Sequence, residues 1–193
     1  MEPLTIIKKY FEPGSVAFDI LIEHSRMVMA KALAVAEQVR HISPDLAFIR
    51  EAAMLHDIGI VFVNAPHLGC HGDKPYIYHG YLGRELLEKE GFPLHALVCE
   101  RHIGTGLAIT DIESQNLLLP RRDMRPLTIE EKIICYADKF YSKRIGLLRH
   151  EKTIGQARSA LEKFGADKML AFDAMHRLFS NRPSQERGLT QEL

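Results

Sequence analysis

Leu55-His56-Asp57-Ile58-Gly59 closes an apolar, helix-periodic stretch and sets an imidazole beside a carboxylate in hydrophobic surroundings. Working outward, single histidines stand at His24, His79 and His102, and a second aspartate ends the phrase Tyr136-Ala137-Asp138. On a helix, residues three, four and seven apart share a face. By that rule His24 neighbours Ile20, Leu21, Met27 and Val28, and His56 neighbours Ile49, Ala52 and Ala53. His79 neighbours Leu82, Gly83 and Leu86, His102 neighbours Val98 and Cys99, and Asp138 neighbours Ile134, Cys135 and Tyr141. Each lies on the apolar stripe of its own predicted helix. A buried ionisable group is costly unless it is paired or bound to a metal. Five separately satisfied core groups need five unrelated hydrogen-bonding arrangements, whereas one shared metal centre serves them all.

The whole chain sets limits on the reading. It has 193 residues, a formal net charge of zero and 26% charged residues. That length predicts one domain over residues 1–180, with a core large enough to need no disulfides. No basic face is implied, so a long nucleic acid is not an expected partner. Cys70, Cys99 and Cys135 form no CxxC pair and read as buried thiols. No apolar run has the length of a signal peptide or approaches the ~20 residues of a membrane span. The expectation is a soluble, cytoplasmic protein without a membrane partner.

Helical periodicity dominates, and the predicted fold class is all-α. Helices are expected over 4–10, 16–39, 44–57, 78–90, 93–102, 129–143, 153–164 and 166–180. Ser15 caps the second, Ser43-Pro44 opens the third, Thr128 and Glu131 form a capping box for the sixth, and Gly59 and Gly91 follow helix ends. Residues 60–77 read as a loop, and no strand pattern exceeds a few residues. Residues 103–127, after the fifth predicted helix, form a long connection with a short helix near 111–116; loops of that length are often functional. Residues 181–193 read as a polar, frayed tail.

Neutral imidazole and carboxylate together suit iron, manganese, zinc or nickel without any thiolate. His56, Asp57 and His102 close helices, and the partial negative charge of a helix C-terminus favours a nearby cation. Metal coordination acidifies water enough to supply hydroxide near neutral pH.

The order His24 … His56-Asp57 … Asp138 resembles the HD-domain metal-dependent phosphohydrolases over residues 15–145, and His56-Asp57-Ile58-Gly59 matches their HDIG branch. The resemblance implies an HD-type helical bundle in which His24, His56, Asp57 and Asp138 hold one metal. His79 and His102 match the additional histidines of the two-metal branch, which implies a dinuclear centre, Asp57 as the catalytic bridge and metal-bound hydroxide as nucleophile. Two divalent ions are expected, iron or manganese first, with nickel, cobalt or zinc as alternatives. The sequence shows no Gly-Tyr-Pro signature of cyclic-di-GMP phosphodiesterases, and an HDIG ribonuclease with its accompanying RNA-binding domain is not expected.

Other residues carry two readings each. Arg121, Arg122 and Arg125 either clamp substrate phosphate or belong to a solvated loop. Lys139 either neutralises transition-state charge or lies on the surface, where Arg26 is expected. Gly104-Thr105-Gly106 is an anion-approach loop or a helix stop, and Glu100 and Arg101 support His102 or are exposed. His67, Cys70 and His71 lack structural-zinc spacing and read as lid residues; His95 reads as packing or support; His41, His150 and His176 have no assigned role. The leading expectation is hydrolysis of a small phosphoester, a nucleotide or dinucleotide polyphosphate. The alternatives are an HD-fold di-iron oxygenase and a non-catalytic nucleotide sensor.

Overall fold

The computed structural model describes residues 2–180. The predicted tail lies outside the described residues. Helix α1 (Pro3–Tyr10) is capped by Glu2, and α2 (Val16–Gln38) by Ser15, whose hydroxyl accepts the Phe18 N–H. Helix α3 spans Leu46–Leu55. Its cap is Asp45, which accepts the Phe48 N–H at 2.9 Å, and not Ser43 as predicted. Ser43 takes left-handed backbone (φ 50) to end a short turn over Arg40–Ile42. Helices α4 (His79–Lys89) and α5 (Pro93–Arg101) follow, then α6 (Ile109–Ser114), α7 (Ile129–Asp138), α8 (Ile154–Ser159) and α9 (Ala166–Ser180).

The predicted loop 60–77 contains a minimal hairpin, β1 (Asn64–Ala65) antiparallel to β2 (Cys70–His71), with Asn64 opposite His71. The long connection after α5 is better ordered than predicted. Leu107 and Met124 exchange backbone hydrogen bonds, and they pack with Ile112 and Leu119 into a small core of their own.

Helix ends correct the sequence reading at three places, the first being α3, which stops at Leu55 rather than residue 57. Helix α7 stops at Asp138 rather than residue 143, because the next three amides bond back three residues, to Tyr136, Ala137 and Asp138. Phe140 and Tyr141 stay buried in this tighter turn, which preserved the apolar period beyond the helix. The segment predicted over 153–164 is α8 followed by a separate turn at Glu162–Phe164. The box at α7 is half formed. Thr128 accepts the Glu131 N–H, but Glu131 bonds the Leu127 N–H and pairs with Arg101.

Two apolar clusters hold the bundle. One joins α2, α3, α7 and α9 through Val28, Ala32, Ile49, Ile133 and Phe172. The other joins α1, α2, α3 and α4 through Ile7, Leu21, Leu55, Ile58 and Leu87. Helices α2, α3 and α5 supply both clusters, and each carries a site histidine near the change-over: His24 between Leu21 and Val28, His56 between Ala53 and Ile58, His102 after Val98 and Cys99. Truncating one of these leucines to alanine costs about 2–5 kcal/mol.

Close backbone approach brings the second pair of histidines in. A Cβ on Gly59 would lie 2.0 Å from the His79 carbonyl oxygen and 2.4 Å from the Gly83 nitrogen, and one on Gly80 would lie 2.7 Å from the Cys99 carbonyl oxygen. Only glycine permits these contacts. They press α4 against the turn after Asp57 and against α5.

Candidate metal centre and its cavity

Asp57 is fully buried at the centre of the site. Its Oδ2 lies 3.2 Å from His24 Nε2 and 3.0 Å from His56 Nε2. Its Oδ1 lies 3.2 Å from His79 Nε2 and 3.3 Å from His102 Nε2. Asp138 Oδ1 completes the first set, 3.0 Å from His24 and 3.5 Å from His56. Two groups of closely spaced ligand atoms result, His24–His56–Asp57–Asp138 and Asp57–His79–His102, sharing Asp57.

The hydrogen bonds show what this arrangement lacks. His56, His79 and His102 each direct Nδ1 at the backbone carbonyl three residues earlier, on Ala53, Tyr76 and Cys99, at 2.6–2.7 Å. An N–H donated there leaves a bare lone pair on each Nε2. Those lone pairs face a carboxylate, and the Nε2 atoms of His79 and His102 face each other at 3.2 Å. Asp57 Oδ1 and His56 Nε2 are buried without a hydrogen-bond partner, and Asp57 Oδ2 is met by the Lys143 ammonium in an ion pair at 2.6 Å. Acceptor facing acceptor in a dry interior calls for a cation between them, so the residues fit a metal centre. Three buried thiols stand apart from it, and burial raises the Cys70 and Cys135 thiols to about 11.

Without a metal, the protonation states adjust to the same deficit. Burial opposes charge on His56, but Asp57 and Asp138 outweigh it and lift His56 to about 9. Burial, aided by the charge of His56, drives His102 down to about 4. Burial resists ionising Asp57 and Asp138, yet the surrounding histidines and lysines hold both well below the usual carboxylate range. Lys139 Nζ lies 2.7 Å from Asp138 Oδ2 and donates to the His102 carbonyl at 3.0 Å; Lys143 Nζ lies 2.6 Å from Asp57 Oδ2. The site therefore has two carboxylates balanced by two lysines. A cavity of about 270 Å³ opens beside it.

The HD domain family matches residues 21–142, a span that holds every ligand from His24 to Asp138. The chain belongs to the HD domain family. An uncharacterized protein of Methanocaldococcus jannaschii is 35% identical to it over 152 residues, 74% of this chain and 82% of that one. A tRNA (cytidine(56)-2'-O)-methyltransferase of Picrophilus torridus is 35% identical over 65% of this chain, and that of Thermoplasma volcanium 33% identical over 68%. The aligned part is 33% and 35% of those two enzymes, so this chain matches about a third of their length. Among solved structures, the HD domain of the L. monocytogenes phosphodiesterase PgpH, in complex with cyclic-di-AMP, is similar at TM-score 0.49 and 17% identity, covering 93% of this chain and 99% of that one.

Within this HD domain the six predicted ligands converge, and the predicted arginines do not join them. Arg122 pairs with buried Glu100, which also takes Arg84. Arg125 pairs with Asp123, and Arg121 is 79% exposed near Glu113. None of the three lines the cavity. Of the two readings given for these arginines, the pairing with nearby carboxylates is the one seen in the structure. Lys139 is partly buried beside the centre rather than on the surface, while Arg26 is exposed as expected. His95 packs between Phe48 and Phe92 beside Glu51, away from the ligands. His67 and His71 are exposed and line no part of the cavity. Lys143, Tyr76 and Phe164 were missed: Lys143 follows the end of α7 in irregular chain, where no periodicity orients a side chain. Among the described residues, no helix is long and apolar enough to cross a membrane.

Proposed function

We propose that this HD domain is a metal-dependent phosphohydrolase of the HDIG branch, acting on a small, nucleotide-like phosphoester at a dinuclear centre. His24, His56, Asp57 and Asp138 would hold one ion, and Asp57, His79 and His102 the other. The observation that carries this reading is the division of Asp57: each oxygen faces its own pair of histidines, with Lys143 Nζ 2.6 Å from Oδ2 as the counter-charge the chain itself supplies. Divalent iron or manganese, with nickel, cobalt or zinc as alternatives, suits this nitrogen and oxygen set and supplies an acidified water and a Lewis acid for phosphoryl oxygens.

The chain's own residues supply orientation and charge. The Nδ1 bonds of His56, His79 and His102 fix the ring tautomers. Lys139 Nζ and Lys143 Nζ line the cavity at its inner end, where they can take substrate phosphoryl oxygens and hold charge that grows on them. Burial of the ligands keeps bulk water from competing.

A phosphoester panel run with Mn²⁺, Fe²⁺, Co²⁺, Ni²⁺, Mg²⁺ and Zn²⁺ tests the reading by phosphate release. Asp57→Ala should abolish any hydrolysis found. Robust turnover by a folded Asp57→Ala protein overturns the bridging role, and oxygen uptake without phosphate release replaces the hydrolase with an oxygenase.

A further inference from the structure

The cavity's size and lining restrict what can enter it. At about 270 Å³ it lies below the ~300–1,000 Å³ of sites for drug-sized ligands. Its inner end is the metal cluster with Lys139 and Lys143. The outer wall comes from two separate stretches, Ile103, Leu107 and Gln115 after α5, and Phe164 and Lys168 near the start of α9.

Lys168 ties these stretches together. It is 5% exposed, donates to the Gly106 carbonyl at 3.0 Å and pairs with Asp111, while Thr105 donates to the Lys168 carbonyl at 3.4 Å. A buried ammonium on α9, bonded twice to the stretch after α5, holds the two walls together. Its charge is used up by Asp111. Net positive charge for a ligand therefore gathers only at the inner end, where divalent ions would add to Lys139 and Lys143.

Two aromatic rings remain partly open to water along this cavity, Phe164 at 52% exposure and Tyr76 at 38%. With Ile103 and Leu107 they offer apolar area, and Gln115 offers one amide donor and acceptor. This is a place for one phosphate at the inner end and one flat, polar-edged ring outside it. The family match ends at residue 142, so Lys143, Phe164 and Lys168 all lie beyond the matched span.

We propose that the segment beyond residue 142, acting with Gln115 inside the matched span, makes this domain selective for mononucleotide-sized phosphomonoesters, with Phe164 and Gln115 receiving the base and the Lys168 clamp refusing dinucleotides and nucleoside triphosphates. The substrate class rests on the hydrolase reading above. A cavity of about 270 Å³ leaves little room for a second nucleoside, and a triphosphate would set anionic charge against apolar side chains.

The test is a comparison of AMP, ribose 5-phosphate, ATP and cyclic-di-AMP on the full, Mn²⁺-loaded chain, with calorimetric binding of AMP measured alongside. AMP should exceed the other three in kcat/KM by about tenfold or more, the scale of one base–aromatic stack. Phe164→Ala should lower the AMP to ribose 5-phosphate ratio by about tenfold and weaken AMP binding to match. Lys168→Met, where it folds, should raise the relative use of ATP and cyclic-di-AMP. If phosphate is released but ATP or cyclic-di-AMP is used as well as AMP, or Phe164→Ala leaves the ratio unchanged, this proposal is overturned and the hydrolase stands. If nothing is hydrolysed, the hydrolase reading falls; AMP binding that depends on Phe164 then preserves the ligand class, and absence of binding removes that too.

Discussion

Lys143 Nζ lies 2.6 Å from Asp57 Oδ2, the same carboxylate oxygen that faces His24 and His56. A fully buried carboxylate needs a counter-charge, and in the metal-free chain this ammonium supplies one. Lys139 does the same for Asp138. Both lysines stand at the inner end of the cavity, so cations that take over the carboxylates would leave two ammonium groups to meet phosphate.

Kinetics of single variants should separate these lysines from the loop arginines. Lys143→Met and Lys139→Met should each lower kcat/KM for a phosphoester about 10- to 100-fold, the worth of one charged hydrogen bond. Arg121→Ala should leave kcat/KM within about twofold, as expected for an exposed side chain. A large loss in Arg121→Ala with normal lysine variants would return the phosphate to the loop.

Much of this was legible in the sequence, and the parts that were not share a cause. The ligands could be read because each lies on a helix or within two residues of its end, where spacing still fixes the face: His24, His56, His102 and Asp138 all have apolar neighbours at three or four residues. Gly59 read only as a helix stop; its contact with Gly83 depends on tertiary packing that no local pattern encodes. Lys143 lies in irregular chain, Phe164 lies in a short turn where the sequence suggested a helix, and a loop arginine's charge says nothing of which carboxylate it meets.

The glycine contact can be tested directly. Gly59→Ala would force α4 away from Asp57, an overpacking cost of about 1–3 kcal/mol or more, which lowers Tm by several degrees and weakens the set containing His79. Gly155→Ala, whose new Cβ would meet Thr153 Oγ1 at 3.9 Å, should leave Tm unchanged or slightly raised. Calorimetry and metal content of both variants check this. Equal behaviour of the two would show that the Gly59 contact is not needed.

Chelation should lower Tm by mass action while the far-ultraviolet circular dichroism stays helical, because the two apolar clusters do not depend on the ligands. Loss of the helical signal at room temperature would show that metal holds the bundle together.

Stability should also depend on His95. Burial between Phe48 and Phe92 lowers its pKa below the ordinary 6.5, against the opposing pull of Glu51. The folded state then binds fewer protons than the unfolded state around that pH. This contribution is complete above pH 6.5 and is lost as pH falls through 6.5 toward the folded value. In chelated protein, Tm should drop more between pH 7.5 and 5.5 for the wild type than for His95→Phe, with ~6.5 as the ordinary histidine value. Parallel curves would remove His95 from the acid sensitivity.

The most direct test of the central claim, that Asp57 bridges two metal sites, is anomalous diffraction from Mn²⁺-loaded crystals. Two peaks are predicted, one between Asp57 Oδ2, His24, His56 and Asp138, the other between Asp57 Oδ1, His79 and His102, with the second lost in His79→Ala. A single peak held without His79 and His102, or peaks that avoid Asp57, would contradict it.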